Sequence, residues 1–137
     1  MMNIGSMPDV SKNDLVISIR WGFQKKISYV LEGNIHSTGY TLRWLRDNLG
    51  LFSSYDEAER LAEEVPDNGG VYLVPAFSGL GAPYWEHYIR AILTGLSYKS
   101  DKRHVIRAGL ESIAFQIRDL IVHMSAASSF SLNMLHV

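Results

Sequence analysis

The residues best suited to shaping a binding site form a loop that follows a predicted buried strand. Residues 71–74 are β-branched or large and apolar, which predicts a strand, and residues 75–85 leave that strand as a loop. Gly79 and Gly81 permit backbone conformations that other residues avoid, and Pro83 restricts the exit of the loop. Rigid strand exits often border ligand sites in open α/β sheets. We therefore predict that this strand-exit loop, residues 75–85, lies beside a ligand site.

Tyr84 and Trp85, at the end of the strand-exit loop, offer a large apolar surface with a polar handle on each ring. Packing that anchors the loop is favoured over direct contact with a ligand. We expect Tyr84 and Trp85 to serve mainly as structural anchors.

The remaining reactive side chains lack spacing typical of catalysis or metal binding. The histidines lie far apart, with no pair at helical ligand spacing, so a metal site is not predicted. They are His36, His87, His104, His123 and His136. The acidic residues between positions 56 and 64 alternate around a predicted helix and are expected to form a solvated face, in preference to a catalytic pair. We predict no catalytic residue and no metal ligand in this chain.

Composition narrows the class of protein further. The 137 residues are 47% hydrophobic and 20% charged, which is typical of a globular domain. Because 13 basic residues offset 14 acidic ones, no net field would attract nucleic acid or an anionic membrane. Cysteine is absent, which excludes disulfides and thiolate zinc sites. With no long apolar run and no signal-peptide pattern, we predict a cytoplasmic protein without nucleic-acid or membrane partners.

Hydrophobic periodicity predicts the secondary structure of the first half of the chain. Residues 1–13 read as a polar, poorly ordered lead-in, and residues 15–21 and 27–31 alternate as the strands of a β-hairpin. From Ile35 the apolar positions step by three or four, which predicts a helix that ends at Gly50. Ser54 and Glu57 form a capping box that starts a second, short helix.

Strands are predicted next over residues 71–77 and 90–96, followed by the longest helix. Ser100 or Asp101 caps this helix, which runs to about Ala126. Gly109 inside it lowers helix stability by about 1 kcal/mol relative to alanine, a cost that a close backbone contact would justify. Its predicted apolar stripe comprises Ile106, Leu110, Ile113, Ile117, Leu120, Ile121 and Met124. Arg107 and Glu111 are expected to pair outside the stripe. Residues 132–137 look like the start of another strand, so the order of elements predicts an α/β fold.

Three stretches of the sequence follow a recognisable pattern. Residues 74–85 read VPAFSGLGAPYW. Residues 91–96 read AILTGL and lead, after seven residues, into a helix whose matching positions are His104, Val105, Ala108, Leu110 and Glu111. Residues 29–35 read YVLEGNI and lead to WLRD at residues 44–47. Taken in chain order, the three stretches resemble the FGGY family of carbohydrate kinases. One position departs, because Gly109 stands where the family prefers Thr, Ala or Ser.

The resemblance implies a fold and an activity. It implies an actin-like, ribonuclease-H-like core, with residues 1–137 as part of the C-terminal, nucleotide-binding domain of a two-domain kinase. Such a kinase uses ATP and Mg²⁺ to phosphorylate a hydroxyl of glycerol or a related polyol or sugar. A xylulokinase-type sugar kinase is the alternative within the family. A non-catalytic actin-like module for assembly or regulation is the alternative from another class.

The resemblance also assigns an ATP-binding role to two positions. Family members place a glycine of the first long helix, and a polar residue one turn later, against ATP, and these positions match Gly39 and Arg43. The family commonly has Gln or Lys where Arg43 stands, which leaves the contact itself open. The competing interpretation is that Gly39 only lets another element pack closely and that Arg43 is solvated.

The phosphate-binding turns of the family are not found in this sequence. The resemblance places a Gly-Thr-Gly turn just before residues 1–5 and an Asp-Gly-Gly turn just after residues 133–137. We therefore expect this chain to be one piece of an enzyme, inactive alone and weak in ATP binding. Because such a piece leaves sheet edges and apolar surface uncovered, we also expect it to self-associate as a homo-oligomer.

Overall fold

The computed structural model describes residues 1–6 and 15–127, and those residues form an α/β structure. The strands are β1 (Met2–Gly5), β2 (Val16–Phe23), β3 (Lys26–Glu32), β4 (Tyr72–Val74) and β5 (Ile92–Thr94). The helices are α1 (Gly39–Asp47), α2 (Tyr55–Glu63) and α3 (Lys102–Ala127). The predicted strand at residues 132–137 lies outside the described residues. Within the part of the chain that is described, no helix is long and apolar enough to cross a membrane.

The predicted β-hairpin is confirmed as β2 and β3, which pair antiparallel in a sheet of order β1-β3-β2. Phe23 pairs with Lys26, and the two turn residues between them, Gln24 and Lys25, have φ values of 46° and 64°. A two-residue turn with both φ angles positive matches the natural twist of a hairpin. The register shifts between Ile19 and Trp21, which marks a β-bulge in the edge strand.

Strand β1 lies within residues 1–13, for which the sequence predicts a poorly ordered lead-in. It pairs antiparallel with β3, and the side chains of Met2 and Ile4 are buried, with 8% and 3% exposure. They pack in one hydrophobic cluster with Leu31 of β3 and Leu120 of α3. The residues around Ile4 are mostly polar and do not predict a strand. The strand is stabilised by these partners, which are distant in sequence.

Helix α1 is shorter than predicted, because it ends at Asp47 and not at Gly50, and it also begins later. Gly50 has a φ of 63°, and its amide donates to the carbonyl of Arg46 at 3.0 Å, which is the ending typical of a left-handed glycine after a helix. The helix was predicted from Ile35, whereas it begins at Gly39. Residues 33–38 instead form an irregular connection from β3 that passes close to the strand-exit loop.

The capping box of α2 is confirmed in a shifted form. The Glu57 amide donates to Ser54 Oγ at 3.2 Å, and Glu57 Oε2 accepts a 2.7 Å hydrogen bond from the amide of Ser53, one residue before the cap. Together these bonds satisfy two amides that the helix leaves free. Ala58, Leu61 and Ala62 of α2 are buried, and so is Val65, two residues after the helix.

Helix α3 begins as predicted, because Asp101 Oδ1 accepts a 2.9 Å hydrogen bond from the amide of Arg103. Side-chain hydrogen bonds from Arg103 hold the pKa of Asp101 well below its usual range. The predicted stripe was wrong in the middle of the helix, where Ile117 is 39% exposed. The buried positions of α3 are Ile106, Ala108, Gly109, Ser112, Leu120 and Met124.

Small residues replace the expected large ones in α3 because other elements approach it closely there. A Cβ atom at Gly109 would lie 2.5 Å from Leu45 Cδ1 of α1, which confirms the expected close contact. Ala108 packs with Val71 and Leu73 at β4. Sequence periodicity identifies the face of a helix but not how near its neighbour lies, and here the neighbours leave little room for side chains.

The predicted ion pair is confirmed, with Arg107 Nε 2.8 Å from Glu111 Oε1. Both side chains also bind groups outside α3. Arg107 Nη1 donates to the carbonyls of Ala62 and Val65 at 3.2 and 2.9 Å. Glu111 Oε2 accepts a 2.8 Å hydrogen bond from Asn68 Nδ2. The pair therefore ties the end of α2 and the following turn to α3.

Strands β4 and β5 pair antiparallel. The glycine that follows β5 allows the chain to pass close to the residues just before β4. Both strands are shorter than predicted, with three residues each. Gly95 follows β5 with a φ of 81°, and a Cβ atom there would overlap the carbonyl oxygen of Gly70. Gly95 is thus restricted both by its backbone conformation and by a backbone neighbour that cannot move aside cheaply.

The two restrictions on Gly95 can be separated by a matched pair of substitutions. Gly70 has the same φ of 81°, but no atom lies within 4 Å of the position of its missing Cβ. We expect Gly70→Ala to cost about 1–2 kcal/mol of unfolding free energy through strain alone. Gly95→Ala should cost roughly 1–3 kcal/mol more, because the overlap adds to the strain. Urea unfolding of the chain measures both, and equal losses would contradict the close approach.

Candidate functional site

The strand-exit loop folds tightly back on itself after β4. A Cβ atom at Gly79 would lie 2.5 Å from the carbonyl oxygen of Glu86, and the Leu80 amide donates to the same oxygen at 2.8 Å. The amides of Tyr84 and Trp85 both donate to the Gly81 carbonyl, at 3.0 and 2.9 Å. The loop predicted from its glycines is therefore a compact, internally hydrogen-bonded unit.

Gly81 brings this loop against the connection between β3 and α1. A Cβ atom at Gly81 would overlap the carbonyl oxygen of Asn34 and would lie 2.9 Å from His36 Nε2. Any side chain at position 81 would therefore push the two segments apart. Because the β3–α1 connection leads directly into α1, the loop and the start of that helix are held together.

Tyr84 anchors the far end of the loop to α3. Its hydroxyl donates a 2.9 Å hydrogen bond to Asp119 Oδ2, and this bond to the carboxylate raises the pKa of the Tyr84 phenol. The contact is the structural role expected for this residue.

An aromatic cluster joins the loop to the exposed face of α1. The Phe77 ring lies 4.9 Å from the Trp44 ring and 5.9 Å from the Tyr40 ring, centroid to centroid. The Tyr40 ring meets Phe77 edge-on, at an interplanar angle of 76°, which is a favourable aromatic geometry. The cluster therefore fixes the orientation of α1 relative to the strand-exit loop.

Gly39 and Arg43 lie one turn apart at the start of α1, and both are exposed. Among the described residues, nothing lies within 4 Å of the position where a Gly39 Cβ would stand. Close packing by the described part of the chain therefore does not account for the glycine. The space beside Gly39 is open to a group that approaches the helix backbone.

Arg43 is 66% exposed, and its Nε donates to Asp47 Oδ2 at 3.3 Å. Asp47 also accepts a 2.7 Å hydrogen bond from Arg46 Nε, and this bond, with the neighbouring Arg43, lowers the pKa of the Asp47 carboxyl. The Arg46 guanidinium in turn lies 5.0 Å above the ring of Tyr55. Arg43 thus lies on the surface beside a carboxylate that it shares with Arg46.

Sequence reasoning missed two members of this surface, Tyr40 and Asp47. The separation of Arg43 and Asp47 by four residues was a readable signal for an ion pair on one helix face. The contact of Tyr40 with Phe77 joins residues 37 positions apart and has no local signal. We define the α1 face as Gly39, Tyr40, Arg43 and Asp47.

With this geometry established, comparison with known proteins identifies the family. The family model described as "FGGY family of carbohydrate kinases, C-terminal domain" matches residues 10–137. The chain belongs to the FGGY family of carbohydrate kinases. It is 51% identical over 129 residues to glycerol kinase 1 of Thermotoga maritima, covering 94% of this chain and 26% of that relative. The chain therefore spans about a quarter of the length of this relative.

Solved structures of FGGY kinases match the fold. The crystal structure of Plasmodium falciparum glycerol kinase with ADP superposes with a TM-score of 0.85 at 35% identity, covering 98% of this chain and 26% of that one. A ligand-bound xylulose kinase from Lactobacillus acidophilus gives a TM-score of 0.68 at 23% identity, covering 81% of this chain and 22% of that one. The prediction of an α/β, actin-like fold is confirmed. The assignment of residues 1–137 to part of one domain stays a prediction.

The hydrogen bond between Tyr84 and Asp119 predicts a pH-dependent stability. The pKa of Tyr84 is higher in the folded chain than its unfolded value of about 10. Stabilisation is therefore complete below the unfolded pKa and is lost as the pH rises through the folded pKa. We expect Tyr84→Phe to reduce the unfolding free energy by about 0.5–1.5 kcal/mol at pH 7, with the difference closing above pH 10.

Urea unfolding at a series of pH values tests this expectation. Tyr72 is the matched control, because it is 49% exposed and Tyr84 is 51% exposed. Tyr72→Phe should leave the unfolding free energy at pH 7 nearly unchanged. A Tyr84→Phe profile that runs parallel to the unsubstituted chain at every pH would contradict the role of the hydrogen bond.

Proposed function

We propose that this chain is part of an ATP-dependent glycerol kinase, which transfers the γ-phosphoryl group of ATP to a hydroxyl of glycerol. The observation that carries the proposal is the 51% identity to a glycerol kinase over 129 residues. The superposition on a glycerol kinase crystallised with ADP supports it. Membership of the family supports a kinase activity, whereas the acceptor rests on these particular relatives.

Glycerol is favoured over xylulose as the acceptor. The glycerol kinase structure superposes on this chain with a TM-score of 0.85, whereas the xylulose kinase reaches 0.68 at lower identity. No acceptor-binding residue is assigned to this chain, so a panel assay of the intact enzyme with glycerol and xylulose decides this point. Preferred phosphorylation of xylulose would favour the alternative within the family.

We further propose that the α1 face forms one wall of the ATP site. Two observations support a fit: the open space beside Gly39, and the exposed guanidinium of Arg43 one turn away. A glycine permits close approach of a ligand to the helix backbone, and a guanidinium offers donors to oxygen or nitrogen acceptors of the nucleotide. The wall would position the adenosine end of ATP.

The reactive end of ATP requires other groups. Phosphoryl transfer depends on amides around the phosphates, on Mg²⁺ and on a carboxylate near the acceptor hydroxyl. The described residues hold no group of three or more histidine and acidic side chains that could bind a metal ion. We propose that Mg²⁺ enters with the nucleotide phosphates, and that this chain positions ATP while other parts of the enzyme perform the chemistry. The cytoplasmic location stays a prediction.

A chimeric enzyme tests the proposed function. In it, this chain replaces the matching quarter of the Thermotoga maritima enzyme. We expect the chimera to phosphorylate glycerol with ATP and Mg²⁺ and the chain alone to be inactive, because the chain supplies only one wall of the site. A folded chimera without kinase activity would contradict the proposal and favour a non-catalytic actin-like module.

Substitution of Gly39 in the chimera tests the wall itself. Gly39→Gln should raise the KM for ATP roughly tenfold with little change in kcat, since the side chain fills space needed for binding. Gly22→Gln is the control, because the atoms nearest its Cβ position are 3.9 Å away in the hairpin. An unchanged KM in Gly39→Gln would remove Gly39 from the site.

We also propose that the chain alone self-associates through β2. This edge strand exposes apolar side chains, with 63% exposure at Ile19, 47% at Trp21 and 69% at Phe23. Exposed apolar edges favour pairing with another chain. Light scattering should show dimers or larger species that Ile19→Lys shifts toward monomer, while Leu96→Lys, at a 58% exposed position outside the strand, does not. A clean monomer at high concentration would contradict this proposal.

A further inference from the structure

A cavity of about 710 Å³ lies on the three-stranded sheet, where the end of β1 meets the tip of the β2–β3 hairpin. It is lined by residues 3 and 5–6 at β1 and by residues 20–21 and 25–29 of the hairpin. Its volume lies within the range of pockets that hold small molecules. None of the lining residues belongs to the α1 face, and the proposed kinase reaction gives this cavity no role.

Three cationic residues line the cavity: Arg20, Lys25 and Lys26. Arg20 is the residue that the β-bulge of β2 leaves unpaired, and Lys25 belongs to the hairpin turn. All three residues are exposed, and no carboxylate within residues 1–6 and 15–127 forms an ion pair with any of them. Because like charges that share a cavity without counter-charges repel one another, an anion would be attracted there.

Trp21 and Ser28 also line the cavity. They are paired across β2 and β3, and Lys26 lies two residues before Ser28, so these three side chains lie on one face of the sheet. Leu31, which packs with Leu120 of α3, lies on the opposite face. Trp21 is 47% exposed, whereas Ser28 is 7% exposed. A hydroxyl can donate to a phosphate oxygen, and an indole ring offers an apolar surface to an organic group.

We propose that this cavity binds a phosphate ester, with the phosphate group held by the three cations and the organic part against Trp21. Guanidinium and ammonium groups form their strongest hydrogen bonds with charged acceptors, and a phosphate group offers three such oxygens. A neutral polyol would leave the positive charges without a partner, and inorganic phosphate would leave the indole ring in solvent. The chemistry of the cavity therefore favours a small molecule that carries both a phosphate and an apolar group.

Titration calorimetry of the chain with phenyl phosphate tests this proposal. We expect saturable binding that Arg20→Gln and Lys26→Gln each weaken roughly tenfold, because each substitution removes a charge-assisted hydrogen bond. Lys99→Gln is the matched control, since it removes one charge from an exposed lysine outside the cavity, and it should leave the affinity unchanged. Trp21→Leu should weaken the binding of phenyl phosphate but not that of inorganic phosphate.

Three results would overturn the proposal: no saturable binding, equal losses in Lys26→Gln and Lys99→Gln, or an equal effect of Trp21→Leu on both ligands. Because a phosphate ester can also belong to a lipid, vesicles of phosphatidic acid form a second arm of the experiment. Binding to the vesicles without binding of phenyl phosphate would assign the hairpin to a lipid surface and would likewise overturn the proposal.

Urea unfolding and light scattering of every variant check that it folds and associates as the unsubstituted chain does. Lys25→Gln takes the place of any cation variant that fails to fold. Kinase activity plays no part in these measurements, so their failure would leave the proposed function intact.

Discussion

The close approach of the strand-exit loop to the β3–α1 connection is the constraint on which the α1 face depends. Gly81 makes this approach possible, since any side chain there would overlap the Asn34 carbonyl. With the loop held in place, Phe77 reaches the rings of Trp44 and Tyr40. Two contacts therefore orient the helix: a backbone approach before its first turn and an aromatic cluster along one side. The α1 face is a consequence of these contacts more than of the intrinsic preference of the helix.

Local signals in the sequence were sufficient for much of the fold. The hairpin, the left-handed Gly50 after α1 and the caps at Ser54 and Asp101 depend on residues within a few positions of one another, and the sequence indicated each of them. The failures involve distant partners. Strand β1 is stabilised by burial of Met2 and Ile4 against β3 and α3, and the stripe of α3 changes where other elements approach closely. Periodicity contains no information on such distances.

The site was less predictable than the fold. Glycine spacing indicated the strand-exit loop, but Gly39 and Arg43 were assigned through a family resemblance and not from their own pattern. The geometry adds what neither source contained: an open space beside Gly39, an exposed guanidinium paired with Asp47 and an exposed ring that contacts Phe77. These features are suited to binding and orienting a ligand. In the proposed division, this chain positions the nucleotide and other parts of the enzyme supply the reactive groups. That division agrees with phosphoryl transfer, in which a protein contributes mainly position and electrostatics.

The most direct measurement is a crystal structure of the chimera with a non-hydrolysable ATP analogue and Mg²⁺. Our account predicts that the nucleoside lies against the backbone at Gly39, with the Arg43 guanidinium within hydrogen-bond distance and with Gly81 still packed on Asn34. A nucleoside bound elsewhere, with the α1 face left in solvent, would contradict the account even if the enzyme were active.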